Sequence, residues 1–149
     1  MKPDAPERGV YRAFRPIATR WADNDIYGHV NNVQYYAFFD TAVNGYLVER
    51  GALDITGGRV IGLVVSTNCD YFTPVSFPDR LEAGLSVANL GTSSVTYRVG
   101  IFREGDQLAV AAGEFTHVYV NRDSRRPVPL PASYRQVLEA LVDDQAAGQ

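Results

Sequence analysis

The twenty residues from Asn31 to Arg50 constrain this chain more than any other stretch. At about 100° per residue, Tyr35, Tyr36, Phe39, Ala42, Val43, Tyr46 and Leu47 fall on one apolar arc. Gln34, Thr41, Asn44 and Val48 lie opposite, with Asp40 at the margin. The arc covers about half the circumference, more than a helix lying on a surface has to bury. Such a helix needs cover on both flanks, so the rest of the chain is expected to wrap it. Asn31 or Val30 starts it, since an Asn side chain accepts bonds from the free N–H groups of a first turn. Gly51 supplies a left-handed stop.

The wrapping segments have period two. A first strand is predicted over about Ala13 to Trp21, with Ile17, Thr19 and Trp21 on one face. Val60 to Thr73 is rich in Val, Thr, Tyr and Phe, which suit a pleated surface. Leu81, Ala83, Leu85 and Val87 alternate with Glu82, Gly84, Ser86 and Ala88, and Val95, Tyr97, Val99 and Ile101 with Thr96, Arg98 and Gly100. Glu104-Gly105-Asp106 reads as a hairpin before a last long strand, Leu108 to Val120. Short turns between consecutive strands make antiparallel pairing the simplest arrangement. Pro127, Pro129 and Pro131 enforce an extended exit before a short helix over about Ala132 to Val142. The class is α+β, a sheet curled around one long helix.

At 149 residues, 46% hydrophobic and 21% charged, the chain suits one core. Residues 1–149 are read as a single unit with flexible ends at 1–12 and 143–149. A net charge of −3 gives no electrostatic footprint for nucleic acid. No apolar run reaches the length of a membrane span, and residues 1–12 lack the apolar segment of a secretory signal. A cytoplasmic protein with neither a nucleic-acid nor a membrane partner is expected. Cys69 is the only cysteine, which excludes an internal disulfide and a thiolate metal cluster; its apolar neighbours suit a small buried hydrophobe.

Polar residues gather between the first strand and the helix, from Ala22 to His29. Asp23-x-Asp25-x-x-Gly28 looks like the opening of a calcium loop, but Tyr27 and Gln34 stand where an oxygen ligand and a Glu are required. His29 and His117 are the only histidines and no HExxH spacing is present, so no metal site is expected. G-x-S-x-G, Walker and G-x-G-x-x-G motifs are absent. What remains is a carboxylate a few residues before a helix N-terminus. The free N–H groups and partial positive charge there can polarise a carbonyl and hold the oxyanion formed when it is attacked. An aspartate nearby can attack that carbon or activate a water. Acyl transfer fits these parts. So does a plainer arrangement in which Asp23 and Asn24 make a turn and Asp25 helps cap the helix.

The run Asp23-Asn24-Asp25-Ile26-Tyr27-Gly28-His29-Val30-Asn31-Asn32-Val33-Gln34-Tyr35 resembles the signature of the hotdog-fold acyl-CoA thioesterases of the 4-hydroxybenzoyl-CoA thioesterase type. Its D-x-x-x-H-V-N-N-x-x-Y form is similar to the long-chain acyl-CoA thioesterase branch and to plant acyl-ACP thioesterases. Tyr71-Phe72-x-Pro74 and the ending Arg125-Arg126-Pro127-Val128-Pro129-Leu130-Pro131 extend the likeness loosely over nearly the whole chain. The resemblance implies a five-stranded antiparallel sheet around one central helix. It also implies self-association into a homodimer with active sites at its interface, with a homotetramer left open.

The same resemblance implies Asp25 as nucleophile or general base and the Asn32 backbone N–H as the group polarising the thioester carbonyl. It implies that His29 orients substrate or the aspartate, beside the plainer role of a hydrogen-bonding residue at the helix start. Tyr35, Phe39, Ser66, Asn68 and Ser94 become candidate walls for the acyl and pantetheine groups, although core packing would equally explain them. The phosphates of CoA call for a cationic rim. Arg122, Arg125 and Arg126 are its candidates, with Arg59 and Arg98 weaker and a solvated charged turn as the alternative. Another branch places its carboxylate on the long helix, where Asp40 is the one central acid. No cofactor is implied. The expected activity is hydrolysis of an acyl-CoA thioester to free acid and CoA. The alternatives are an acyl-ACP thioesterase and a non-catalytic acyl-CoA-binding protein of the same fold, with a dehydratase of that fold ranked last.

Overall fold

The computed structural model describes residues 4–54 and 56–142. Helix α1 spans Asn32–Glu49, one residue inside the predicted range at each end. The Asn31 side chain accepts the Val33 N–H at 3.0 Å, and Gly51 at φ +75° closes the other end. Tyr35, Phe38, Phe39, Ala42, Val43, Tyr46 and Leu47 are buried. The predicted arc therefore needs one correction: Phe38 lies inside and Tyr36 lies at the exposed margin. Phe38 has no polar atom to keep wet and packs edge-on against Tyr35 at 5.7 Å, whereas Tyr36 sets its ring edge-on to Phe39 at 6.2 Å from the margin.

The strands are β1 (Ala13–Ala18), β2 (Val60–Thr67), β3 (Asp70–Tyr71), β4 (Arg80–Leu90), β5 (Ser94–Arg103) and β6 (Ala111–Asn121). They form one antiparallel sheet in the order β1-β4-β5-β6-β2, with β3 also on β6 beyond the end of β2. Six strands replace the five expected, because the segment predicted as continuous over Val60–Thr73 breaks at Asn68 and Cys69 and returns as β3. Gly113 explains the break. A Cβ there would fall 1.8 Å from the Asn68 carbonyl oxygen, so the junction presses onto β6 where a side chain would block it.

The first strand is also shorter than predicted. β1 stops at Ala18, and Trp21–Asp23 forms a 3-10 turn that leaves Trp21 81% exposed. Asp23 draws the chain round by accepting the Arg20 N–H at 2.8 Å and its guanidinium at 2.8 Å. The last strand begins at Ala111, not Leu108, and the C-terminal helix α2 spans Ala132–Glu139.

The main core lies between α1 and the sheet face that carries Leu85, Val87, Tyr97, Val99, Ile101 and Phe115. On the opposite face, residues 4–12, expected to be a flexible end, form an ordered strap. The Arg12 N–H donates to Leu85 O at 2.8 Å, and Tyr11 is buried with Phe102, Ala109 and Ala112. Its ring rests on Gly84 and Gly100, directly paired in the β4–β5 register; a Cβ on either would come within 2.8 or 2.5 Å of the ring. The predicted flexible end at 143–149 lies outside the described residues. Among the described residues, no helix is long and apolar enough to cross a membrane.

Candidate active site

The polar segment before α1 folds back on itself. Asn31 N–H donates to Asp23 O at 2.9 Å, Asn24 bridges Val30, and Asp25 N–H donates to His29 O at 2.9 Å. This miniature hairpin has its tip at Ile26, Tyr27 and Gly28, and it makes Asp25 and His29 cross-strand neighbours. Residues 75–77 clamp it from outside: Val30 N–H donates to Val75 O at 2.8 Å, the Ser76 hydroxyl to Gly28 O at 2.7 Å, and Phe77 N–H to the Asn24 side-chain oxygen at 2.9 Å. Ser76 therefore holds the site from a position that the sequence pattern did not single out, and Asn24, read from the sequence as a turn residue, also anchors the turn to Phe77. Pro74 and Pro78 mark a turn there, but nothing in their spacing says what the turn touches.

The two acids of the hairpin differ in what they are free to do. Asp23 is fully buried, with both carboxylate oxygens engaged by Arg20. Asp25 is half-buried and accepts the Tyr27 N–H through Oδ1 at 2.9 Å, while its Oδ2 meets no donor among the described residues. His29 is exposed, and its ring makes no hydrogen bond among the described residues. At the start of α1 the Val33 and Gln34 N–H groups are taken by the side chain and the carbonyl of Asn31. The Asn32 N–H has no acceptor among the described residues, and Asn32 is an exposed residue. A carboxylate oxygen inside the hairpin and a helix-terminal N–H one residue beyond its closing bond are thus both left open. That pairing can attack a carbonyl and hold the oxyanion that results.

Residues 19–141 match the family model described as the thioesterase-like superfamily. The chain belongs to that superfamily. Its fold is the hotdog fold, and the enzyme class is that of thioester hydrolases. The crystal structure of the PA5185 protein from Pseudomonas aeruginosa is 63% identical, with a TM-score of 0.92 over 94% of this chain and 98% of that one. The long-chain acyl-CoA thioesterase FadM of Escherichia coli is 26% identical over 85% of this chain and 96% of its own. Slr0204, a 1,4-dihydroxy-2-naphthoyl-CoA thioesterase from Synechocystis, shares the fold at a TM-score of 0.75 with 21% identity, over 84% of this chain and 93% of that one.

In this superfamily member the remaining candidate residues are spread over α1, β2, the β2–β3 junction, β5 and the turn after β6. Tyr35 and Phe39 are in the core, 3% and 0% exposed, with Tyr35 set edge-on to Tyr71 at 5.1 Å. Ser66 is exposed on β2 opposite Thr116. Asn68 accepts the Glu114 N–H and lines a cleft of about 1050 Å³ on the outer face together with Tyr11, Phe72 and Arg98. Ser94 starts β5 opposite Val118. Asp40 is exposed and bonded to the Asn44 amide at 2.9 Å, roughly 12 Å along the helix axis from Asn32.

Arg122 donates from Nε to Gly58 O at 2.6 Å, while Arg125 and Arg126 are exposed in the turn after β6, with Arg125 at φ +62°. Arg59, also exposed, meets this turn through its carbonyl, which accepts the Arg122 N–H. Tyr71, whose hydroxyl reaches Asn32, pairs with Ala111 at the other end of β6. Ten residues of strand separate the two ends, roughly 33 Å. Within one chain the arginine turn and Asp25 are not brought together.

Burial pushes the Cys69 thiol up to about 11, so it stays protonated at neutral pH and is no competing nucleophile.

Proposed function

We propose that the protein hydrolyses an acyl-CoA thioester to the free acid and CoA, with Asp25 as nucleophile or general base and the Asn32 N–H polarising the carbonyl. The observation that carries this reading is the open Oδ2 of Asp25 inside the hairpin and the open N–H of Asn32 one residue beyond its closing bond. In the nucleophilic route an Asp25 oxygen bonds to the thioester carbon and the C–S bond breaks. CoA thiolate leaves and takes a proton, and water then cleaves the mixed anhydride. In the general-base route Asp25 takes a proton from the water that attacks. Both routes pass through an oxyanion that the Asn32 N–H receives. His29, across the hairpin from Asp25, orients the substrate or the carboxylate.

CoA as the carrier is supported by the likeness to the Escherichia coli enzyme, named for long-chain acyl-CoA. A site shared between two chains is supported by the bare edge of β2, where Val64 and Val65 are 49% and 60% exposed. An unpaired strand edge is a template for pairing with a second copy. Ser66, Asn68 and Ser94 then serve as walls contributed by the two protomers, Tyr35 and Phe39 keep the core role that their burial gives them, and Arg122, Arg125 and Arg126 meet the CoA phosphates of the partner's site.

The test is thiol release from a panel of short, long and aromatic acyl-CoAs, using wild type and Asp25→Asn side by side. Asp25→Asn is expected to cut turnover by about 10²–10⁴-fold with an unchanged melting temperature. Equal turnover in the two proteins rules Asp25 out. Saturable binding of acyl-CoA with no release from any member of the panel would make the protein a binder instead of an enzyme.

A further inference from the structure

An amide can hold an oxyanion only if it is aimed, and a side chain of the sheet hydrogen-bonds the first turn of α1 where neither its cap nor the hairpin does. Tyr71 lies on β3, between Asp70 and Phe72. Phe72 packs with Tyr11 and Phe102 on the outer face, so strand alternation turns Tyr71 inward. There its ring sits edge-on to Tyr35 and its hydroxyl donates to Asn32 O at 3.1 Å. The backbone under it is fixed on both sides, by Asn68 N–H to Glu114 O at 3.1 Å and Phe72 N–H to Val110 O at 2.8 Å. β3 exists at this position because Gly113 admits the Asn68–Cys69 junction. Burial, with the Cys69 thiol and the Tyr36 hydroxyl close by, keeps the Tyr71 hydroxyl protonated and able to donate.

We infer that Tyr71 is a positioning residue for the thioesterase reaction: by donating to Asn32 O it fixes the tilt of the first peptide units of α1 and so the aim of the Asn32 N–H. The inference rests on the assignment of Asp25 and the Asn32 N–H above. Asn32 O belongs to the peptide on the far side of the same Cα as that N–H, so holding the carbonyl leaves the residue little freedom to rotate. A neutral helix carbonyl would not otherwise need a second donor, since the helix already supplies one from the following turn.

The test is Tyr71→Phe, which keeps the ring on Tyr35 and removes only the donor, measured beside Asp25→Asn. The expected result is a kcat about tenfold lower, or about 1.4 kcal/mol of barrier, with KM within about twofold. The backbone amide resonance of Asn32 should also shift in the absence of substrate. Full kcat in Tyr71→Phe together with an inactive Asp25→Asn overturns the role of Tyr71 and leaves the catalytic reading standing. Full turnover in Asp25→Asn overturns that reading and this inference with it. A raised KM with unchanged kcat, or a kcat loss that only tracks unfolding, assigns Tyr71 to substrate contact or to packing and overturns the inference.

Discussion

His117 shows how one residue can tie stability to pH. It is 2% exposed among Tyr97, Phe115 and Tyr119, its Nδ1 lies 3.4 Å from the Tyr119 hydroxyl, and its Nε2 has no hydrogen-bond partner among the described residues. Burial lowers its pKa from 6.5 to about 4. The unfolded chain therefore binds a proton at a pH where the folded chain does not. The contribution is fully present above about 6.5 and is lost as pH falls toward 4, on the order of 3 kcal/mol at most. Denaturant unfolding at pH 7 and pH 4.5 should show this loss, and His117→Phe should flatten it. Gly100→Ala should destabilise by about 1–3 kcal/mol by forcing a methyl into the Tyr11 ring, as the melting temperature would show. At this scale the sequence exposed only what is local. Asp25, His29 and Asn32 stand out together as candidates because they lie within eight consecutive residues. Tyr71 and Ser76 act on that segment from 39 and 48 residues away, separations that no spacing rule can see.

Among the elements, α1 was readable almost to the residue because an Asn cap, an apolar arc and a glycine stop agree. Its cap is testable: Asn31→Ala should cost about 1 kcal/mol of stability, read by denaturant melts. The break between β2 and β3 was unreadable, because its cause is a backbone approach to Gly113 on another strand and not a feature of Val60–Thr73 itself. The same limit hid the strap at 4–12, whose polar composition says nothing of the glycine pair waiting under Tyr11. β2 carries a bulge between Val64 and Ser66, and Val64 and Val65 stand exposed beside it. A lysine on an edge strand opposes pairing with another copy. Val65→Lys should therefore shift the protein toward monomer in sedimentation velocity and lower turnover with it.

For the whole molecule, the decisive separation is the one along β6, with the arginine turn at one end and the Asp25 hairpin nearer the other. If a partner's arginines complete each site, Asp25→Asn and a double Arg125→Glu, Arg126→Glu variant damage different halves of it. Each should be weak alone, and refolding the two together should return part of the activity, because a mixed dimer carries one intact site. No recovery on mixing would place the arginines outside the site. The hairpin itself has a further consequence. Its closing bonds come from its own backbone and from residues 75–77, and none comes from Tyr35, Phe39, Ser66, Asn68 or Ser94. The fold of the hairpin and the surfaces that would select a substrate therefore share none of these closing bonds. A designer can recut Ser66, Asn68 or Ser94 without unpicking the hairpin, whereas a change at Tyr35 reaches Asn32 through the Tyr71 ring.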